Sequence, residues 1–316
     1  MIKEFAIEPC VLANWGHFQA LFDDFGVGKG RLIARYPRDW PKDVQEHVVR
    51  LEREGKLGPI RAKTIVEKIF AHKHKFIQAG RAYEPSRRWL DNAEAELQPF
   101  DTIIANANPR SKPTVLVADD LDKDSALYFA QSQTKVPRSA NALADCAQLL
   151  LRSCQDVQLV DPHFDATARR FKETFLEILG RVTRGQRKLR SCEIHTARFR
   201  KQRGITQEFN PSNQLEHYRR AFEREIPVGT DLRVFFWDEK PTGERLHARF
   251  LLTELGGLQY DYGTDAGKDG EKTIVTLMDN NLWQMVRTDY SEKGEAFSIT
   301  PENILQIPGK RTTLNR

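Results

Sequence analysis

The segment LHARFLLTELGGLQYDYGTD, from Leu246 to Asp265, decides how the second half of this chain folds. From Leu246 to Thr253 an apolar side chain stands at every second position, which is the period of a half-buried β-strand. The pair Gly256-Gly257 follows, and glycines tolerate the positive φ angles of a tight hairpin turn. The segment therefore predicts two short strands joined by a tight turn.

His247 and Arg249 stand two residues apart in the first predicted strand, so their side chains share one face. Side-chain tips on one face are close enough to hold one anion together. A neutral imidazole beside a guanidinium suits a phosphate, because the imidazole attacks or transfers a proton while the guanidinium neutralises the oxygens. Both residues are therefore candidate site residues.

The same letters resemble the His-x-Lys-x4-Asp motif of the phospholipase D superfamily, which continues into Gly-Ser/Thr. Here they are His247-x-Arg249-x4-Glu254, followed by Gly263-Thr264. Arginine replaces lysine, glutamate replaces aspartate, and the glycine-threonine pair comes two residues late. Asp265 and Ala266 stand where the family has an asparagine.

A second stretch carries the resemblance further. A helix is predicted from Ser139 to Ser153, with Ser139 as its N-cap. A short strand ending at Val160 follows, and then Asp161-Pro162-His163-Phe164, which is how many phospholipase D-like domains begin. The resemblance covers roughly residues 139–290.

What the resemblance implies is a metal-independent phosphodiesterase or nuclease that forms a phosphohistidine. Such enzymes use two His-x-Lys motifs in one site, so a chain with one motif needs a homodimer. In that site His247 attacks or protonates, Arg249 holds the phosphoryl oxygens, Glu254 orients His247, and Thr264 donates to a phosphate oxygen. His163 and His195 are reserve candidates for the acid. No metal and no cofactor are implied.

The densest positive tract runs from Arg181 to Arg203, with few acids to offset it. Such a tract is typical of a surface that follows a phosphate backbone, and equally of a solvated loop face. The residues predicted to bind substrate are His163, Arg187, Lys188, Arg190, Arg198 and Arg200.

The first hundred residues predict a helical domain. Trp15, Phe18, Leu21 and Phe22 fall at helical spacing, and two further amphipathic stretches follow before residue 80. Residues 101–138 are predicted to be a linker with accessory strands, and 139–316 the phospholipase D-like domain. The predicted class is therefore α/β, a helical domain followed by a mixed β-sheet flanked by helices.

Composition sets broad limits on the function. The chain has 316 residues and a formal net charge of +5, which suits a polyanionic partner without proving one. Its four cysteines are scattered, as expected for reduced thiols in the cytoplasm. No apolar run of eighteen residues is present, so no membrane span is predicted.

Two functions remain open on the sequence. One is a nuclease acting as a homodimer on nucleic acid, with DNA favoured over RNA, in a setting such as antiviral defence. The other is a phospholipase D-like module that has lost its chemistry, binds nucleic acid, and recruits a protein partner through the helical domain. The replacements at Arg249, Glu254 and Asp265 favour the second reading.

Overall fold

The computed structural model describes residues 1–78, 80–185, 187–202 and 204–309; for 201 and 202 it describes the backbone alone. The chain divides into two compact units, Met1–Ser132 and Gln133–Arg316. Both combine helices with a sheet, and the predicted α/β class is confirmed.

The first unit is built on a five-stranded parallel sheet in the order β3-β2-β1-β4-β5. Its strands are β1 (Lys3–Ile7), β2 (Arg31–Ala34), β3 (Phe76–Ile77), β4 (Thr102–Ala105) and β5 (Val115–Val117). Its helices are α1 (Pro9–Ala13), α2 (Trp15–Leu21), α3 (Trp40–Arg53), α4 (Pro59–Ala71) and α5 (Trp89–Glu94).

The prediction of a purely helical N-terminal domain is wrong. The strands of a parallel sheet are covered on both faces, so they appear as short apolar runs without alternation. The strand β4 is buried at all four positions, and β1 at four of five. Runs this short carry little periodic signal beside the longer helices α3 and α4.

Residues 101–138 contain the predicted accessory strands, but they do not form a linker. The strands β4 and β5 belong to the sheet of the first unit, and the boundary between the units falls after Ser132. The segment after Ser132 begins the second unit with a strand of its own. These segments belong to their sheets because they pair with strands that are distant in sequence. A local residue pattern does not reveal such pairing.

The second unit contains an eight-stranded mixed sheet and a separate two-stranded hairpin. Its strands are β6 (Gln133–Pro137), β7 (Asp156–Val160), β8 (Ser191–Ala197), β9 (Phe199–Gln202), β10 (Ile205–Glu208), β11 (Asp231–Trp237), β12 (Phe250–Thr253), β13 (Gly257–Tyr260), β14 (Lys272–Leu277) and β15 (Ile304–Pro308). Its helices are α6 (Ala140–Asp145), α7 (Gln148–Ser153), α8 (Arg169–Thr183), α9 (Pro211–Phe222) and α10 (Asn280–Asp289).

The order of the eight strands is β15-β11-β8-β7-β12-β13-β14-β6. The neighbours β7, β8 and β11 are parallel, and the remaining pairs are antiparallel. The two strands β9 and β10 pair with each other.

The predicted hairpin is present, but it is shorter than expected, and neither Gly256 nor Gly257 has the positive φ predicted for its turn. The strand β12 begins at Phe250, four residues later than predicted, and pairs with β13 so that Leu252 faces Gly257. A Cβ on Gly257 would lie 2.7 Å from the Leu252 side chain, so a larger residue there would require the neighbouring side chains to shift. The predicted helix from Ser139 is divided into α6 and α7, and Ser139 caps it as expected, accepting from the Ala142 amide.

Antiparallel pairing brings five chain segments to one edge of this sheet. The carboxyl end of β7 lies beside the amino end of β12, because Val160 pairs with Phe250. The carboxyl end of β13 lies at the same edge, since Gln259 also pairs with Phe250. The strand β6 ends there as well, where Pro137 pairs with Lys272. The residues that follow or precede these strand ends therefore meet.

Candidate anion-binding site

A cavity of about 570 Å³ lies at the edge of the eight-stranded sheet where these strand ends meet. It is formed by the turn after β7, the start of α8, the residue before β12, the loop between β13 and β14, and the residue after β6. The lining residues are Arg138, Asp161, His163, Arg170, Phe171, Arg249, Tyr262, Gly263, Asp265, Ala266, Gly267, Lys268 and Glu271. Cationic side chains outnumber carboxylates among them.

Two of the cations in the cavity are already paired. The guanidinium of Arg138 contacts Asp265 at 2.7 Å and Glu271 at 2.9 Å, and Arg170 contacts Asp265 at 3.3 Å. In the described part of the chain, no ion pair is found for Arg249 or Lys268, and the Nε of Arg249 is buried without a hydrogen-bond partner. Arg249 and Lys268 therefore carry the unpaired positive charge of the lining, and the carboxylate of Asp161 offsets part of it.

Asp161 fixes the geometry of the site. Asp161 is 1% exposed, and its Oδ1 accepts the backbone N–H of His163 at 2.9 Å. Its Oδ2 accepts both the backbone N–H of Thr264, at 3.0 Å, and the Thr264 hydroxyl, at 2.8 Å. One buried carboxylate thus joins the turn after β7 to the loop after β13, and holds His163 at the cavity.

His163 lies at the mouth of the cavity and is exposed. Loss of water around the ring lowers its pKa below the ordinary value, and Arg249 and Arg200 lower it further, while Asp161 and Asp265 act in the opposite direction. The imidazole is therefore neutral at pH 7. A neutral imidazole can accept a proton, attack an electrophile, or donate one hydrogen bond to an anion.

The cavity does not bring His247 together with Arg249. Leu246, Ala248, Phe250 and Leu252 pack in one apolar cluster, as the alternation predicts, although β12 begins only at Phe250. His247 is exposed, its Nδ1 lies 2.9 Å from the carbonyl oxygen of Arg245, and it does not line the cavity. Arg249 does line it, together with His163. The imidazole beside the Arg249 guanidinium therefore comes from the turn after β7, the strand that pairs with β12.

The roles predicted for Glu254 and Thr264 do not fit the structure. Glu254 follows β12 while His247 precedes it, and its carboxylate accepts the backbone N–H groups of Gln155 and Asp156 at 2.8 and 3.0 Å. Thr264 is 2% exposed, and its hydroxyl proton is donated to Asp161. It is therefore not available to donate to a phosphate oxygen.

Several arginines of the predicted positive tract are paired with carboxylates within the fold. Arg187 contacts Glu254, and Arg190 contacts Asp156. Arg198 contacts Glu208 at 2.8 Å and Asp238 at 3.1 Å. A guanidinium held by a carboxylate attracts a phosphate less, so these residues do not form a continuous phosphate-binding surface. Lys188 is exposed and lies outside the cavity, and Arg203 lies outside the described residues.

Arg200 and His195 are core residues. Arg200 is buried and donates to the carbonyl oxygen of Phe164 at 2.6 Å, to the Thr196 hydroxyl at 2.9 Å, and to the carbonyl oxygens of His163 and Ala197 at 3.3 Å. It supports the turn that carries His163. His195 is 1% exposed, and its Nδ1 accepts from the Trp237 indole at 3.0 Å. Its ring also stacks on Phe235 with the centroids 4.6 Å apart.

The sequence prediction did not identify Arg138, Arg170, Tyr262 or Lys268. Arg170 had a local signal: it lies in the first turn of α8, where the helix dipole disfavours cations. A cation where the helix dipole disfavours it indicates that positive charge serves another purpose there, such as binding an anion. The other three follow or lie between strands with no local pattern, and only the fold brings them to the cavity.

The first unit has a cavity of its own, of about 430 Å³, where β1 ends and α3 passes over it. It mixes acidic and basic side chains, including Glu8, Asp43, Glu46, His47 and Arg50. Cys10 also lines it, and burial followed by the charge of Glu8 raises the pKa of its thiol to about 12. The thiol is protonated at neutral pH and is not an activated nucleophile.

Among the described residues, no group of three or more His, Cys, Asp or Glu side chains is arranged to hold a metal ion. Among the same residues, no helix combines the length and apolar character needed to cross a bilayer.

Comparisons with known proteins add little. No family model and no curated protein matches the chain. Among the solved structures that match, one has a TM-score of 0.27 and 13% identity, over 53% of this chain and 55% of that one. That structure is described as TrmBL2, an archaeal chromatin protein that shows a novel mode of DNA binding. This chain thus spans about half the length of its neighbour, and a likeness this low carries no argument about fold or function.

Proposed function

We propose that the second unit binds a phosphate group of nucleic acid in the cavity at the sheet edge. The observation that carries the proposal is the guanidinium of Arg249, which lines the cavity beside His163 and has no ion pair among the described residues. Arginine binds phosphate oxygens through two parallel N–H donors, and a neutral imidazole adds one more donor. Lys268, at the exposed side, contributes long-range attraction.

We also propose that the unit is a phospholipase D-like domain. The mixed sheet flanked by helices supports this, as does the position of Asp161-Pro162-His163 beside the segment that carries Arg249. In this domain the histidine of the binding pair comes from the turn after β7 instead of the segment before β12.

Binding to short fluorescein-labelled DNA and RNA oligonucleotides, followed by anisotropy at several salt concentrations, tests the proposal. We expect Arg249→Gln to lower the affinity about tenfold or more, and to reduce the salt slope by about 1, because one phosphate contact is lost. Arg220→Gln is the matched control, since Arg220 is exposed and paired with Glu216 on α9. Equal loss in both variants, or in neither, contradicts the proposal.

A second candidate function, hydrolysis of the phosphodiester, is favoured by the neutral state of His163. Its nitrogen would bond to phosphorus while the P–O bond to the leaving group breaks, and water would later release the phosphate. The leaving oxygen needs a proton, which one His163 cannot supply while it attacks. A second copy of the chain, as in the homodimer that the sequence predicts, would bring a second His163, which protonates the leaving oxygen only as the imidazolium, after taking up a proton from solvent.

Cleavage of DNA and RNA in EDTA separates binding from hydrolysis. We expect His163→Ala to abolish any cleavage and His247→Ala to leave it unchanged, with the mass in solution measured by light scattering. Cleavage that survives His163→Ala excludes this mechanism. If neither nucleic acid is cut while Arg249-dependent binding persists, the domain is a binding module. Recruitment of a protein partner by the first unit stays a prediction.

A further inference from the structure

Tyr262 is a large aromatic residue exposed at the rim of the cavity. It follows β13 in the loop that also carries Thr264 and Asp265, and 67% of its surface is accessible. An exposed aromatic ring beside a charged cavity offers a flat apolar face on which a planar ligand can stack.

The ring of Tyr262 is held in place from one side. The guanidinium carbon of Arg138 lies 4.6 Å from the ring centroid. Arg138 itself has only 7% of its side chain exposed, and Asp265 and Glu271 hold it with ion pairs. The arginine is therefore a fixed support, and the ring is pre-ordered at little further cost in entropy.

The cavity is larger than a phosphate requires. Its volume of about 570 Å³ falls in the range of sites that take small organic molecules, roughly 300–1,000 Å³. The positive charge of Arg249 and the imidazole of His163 account for the phosphate, and Tyr262 adds an open aromatic surface at the same cavity. A phosphate joined to a planar, uncharged ring satisfies both parts.

We infer that the site takes a nucleotide of a single strand, with its phosphate on Arg249 and His163 and its unpaired base stacked on Tyr262. This inference rests on the proposed function and makes it specific. In a duplex, each base is already stacked and paired with its complement, so its face is not available to a side chain. Single strands present those faces, and stacking tolerates any base sequence.

The experiment compares a single-stranded oligonucleotide carrying one 2-aminopurine with a blunt duplex of the same sequence. Tyr262→Ala is expected to lower the affinity for the single strand roughly 5- to 140-fold, which is the effect of losing one base–aromatic stack. Tyr262→Phe should restore it, because the ring is kept. Stacking should also quench the 2-aminopurine fluorescence in wild type and in Tyr262→Phe.

The matched control is Phe199→Ala. Phe199 is also half exposed and has the guanidinium of Arg198 against its ring at 4.9 Å, but it lies on β9 and does not line the cavity. Its replacement should leave single-strand affinity unchanged. Since Tyr262 is exposed, the alanine variant should fold normally, which far-ultraviolet circular dichroism checks.

The outcomes separate this inference from the proposed function. Wild-type affinity of Tyr262→Ala together with lost affinity of Arg249→Gln overturns the stacking role and leaves phosphate binding in place. Equal affinity of wild type for duplex and single strand also overturns it. If Arg249→Gln binds like wild type, the proposed function and the inference fail together.

Discussion

Replacing Thr264 with valine tests whether this residue acts on the ligand or on the fold. The hydroxyl of Thr264 donates to the Oδ2 of Asp161 at 2.8 Å, and both residues are almost fully buried. Valine keeps the shape of threonine and removes the hydroxyl alone. Asp161 then keeps the backbone N–H groups of His163 and Thr264 as donors.

The size of the effect follows from the charge of the acceptor. A hydrogen bond to a charged group contributes about 1.5–3 kcal/mol to stability, so Thr264→Val should lower the free energy of opening this loop by that amount. At about 1.4 kcal/mol per tenfold, amide hydrogens around residue 264 should exchange roughly 10- to 140-fold faster. Thr264→Ser, which keeps the hydroxyl and loses one methyl group, should lose only about 0.8 kcal/mol.

Hydrogen exchange of the full-length chain, read by mass spectrometry on peptides covering 258–270, provides the measurement. Oligonucleotide affinity is measured in parallel under conditions where all variants are folded. We expect faster exchange and unchanged affinity for Thr264→Val. Unchanged exchange with reduced affinity would refute the assignment, and would return Thr264 to the role of a donor to phosphate.

Three further predictions concern charged residues. Lowering the pH from 8 to 5 should strengthen oligonucleotide binding by wild type but not by His163→Gln, because bound phosphate favours the imidazolium. Since the pKa of His163 lies below its ordinary value near 6.5, the gain in affinity is complete only below pH 6.5. An affinity of wild type that does not change with pH would exclude this role of His163. Arg200→Gln should destabilise the second unit by on the order of 3 kcal/mol in urea unfolding, because buried carbonyl oxygens lose their donor. The salt dependence of oligonucleotide binding should stay unchanged. A weaker salt dependence would instead indicate that Arg200 contacts nucleic acid. Lys75→Met should destabilise the first unit by a similar amount, because Nζ donates to the carbonyl oxygens of Phe22 and Phe25 at 2.8 and 3.1 Å; unchanged exchange in peptides of this unit would argue against it.

The sequence predicts that Arg249 acts with His247, whereas the cavity brings it beside His163. Alternation along one strand pairs it with His247, because side chains two residues apart share a face. The side chains of Leu246, Ala248, Phe250 and Leu252 do pack together, as alternation predicts, but His247 does not line the cavity. The register between β7 and β12 decides the neighbour, and Val160 opposite Phe250 brings the turn with His163 to the guanidinium.

The positive tract illustrates a second limit of sequence reasoning. Counting arginines between 181 and 203 records their number, but their partners lie far away in sequence. Asp156 and Glu254 neutralise Arg190 and Arg187, and Asp238 lies against Arg198. An arginine becomes available to a ligand when the fold gives it no carboxylate, and only tertiary contacts show which one that is.

By itself, the sequence determined the α/β class, the hairpin after residue 246, and the capping of the helix at Ser139, and it singled out two residues that line the cavity, Arg249 and His163. These follow from alternation, turn chemistry and short motifs, which act over a few neighbouring residues. The tertiary structure decided the rest. It assigned the short parallel strands of the first unit, it placed Asp161 between His163 and Thr264, and it gathered Arg138, Tyr262 and Arg249 from separate segments. Strand pairing brings together residues more than a hundred positions apart, and no local pattern encodes that distance.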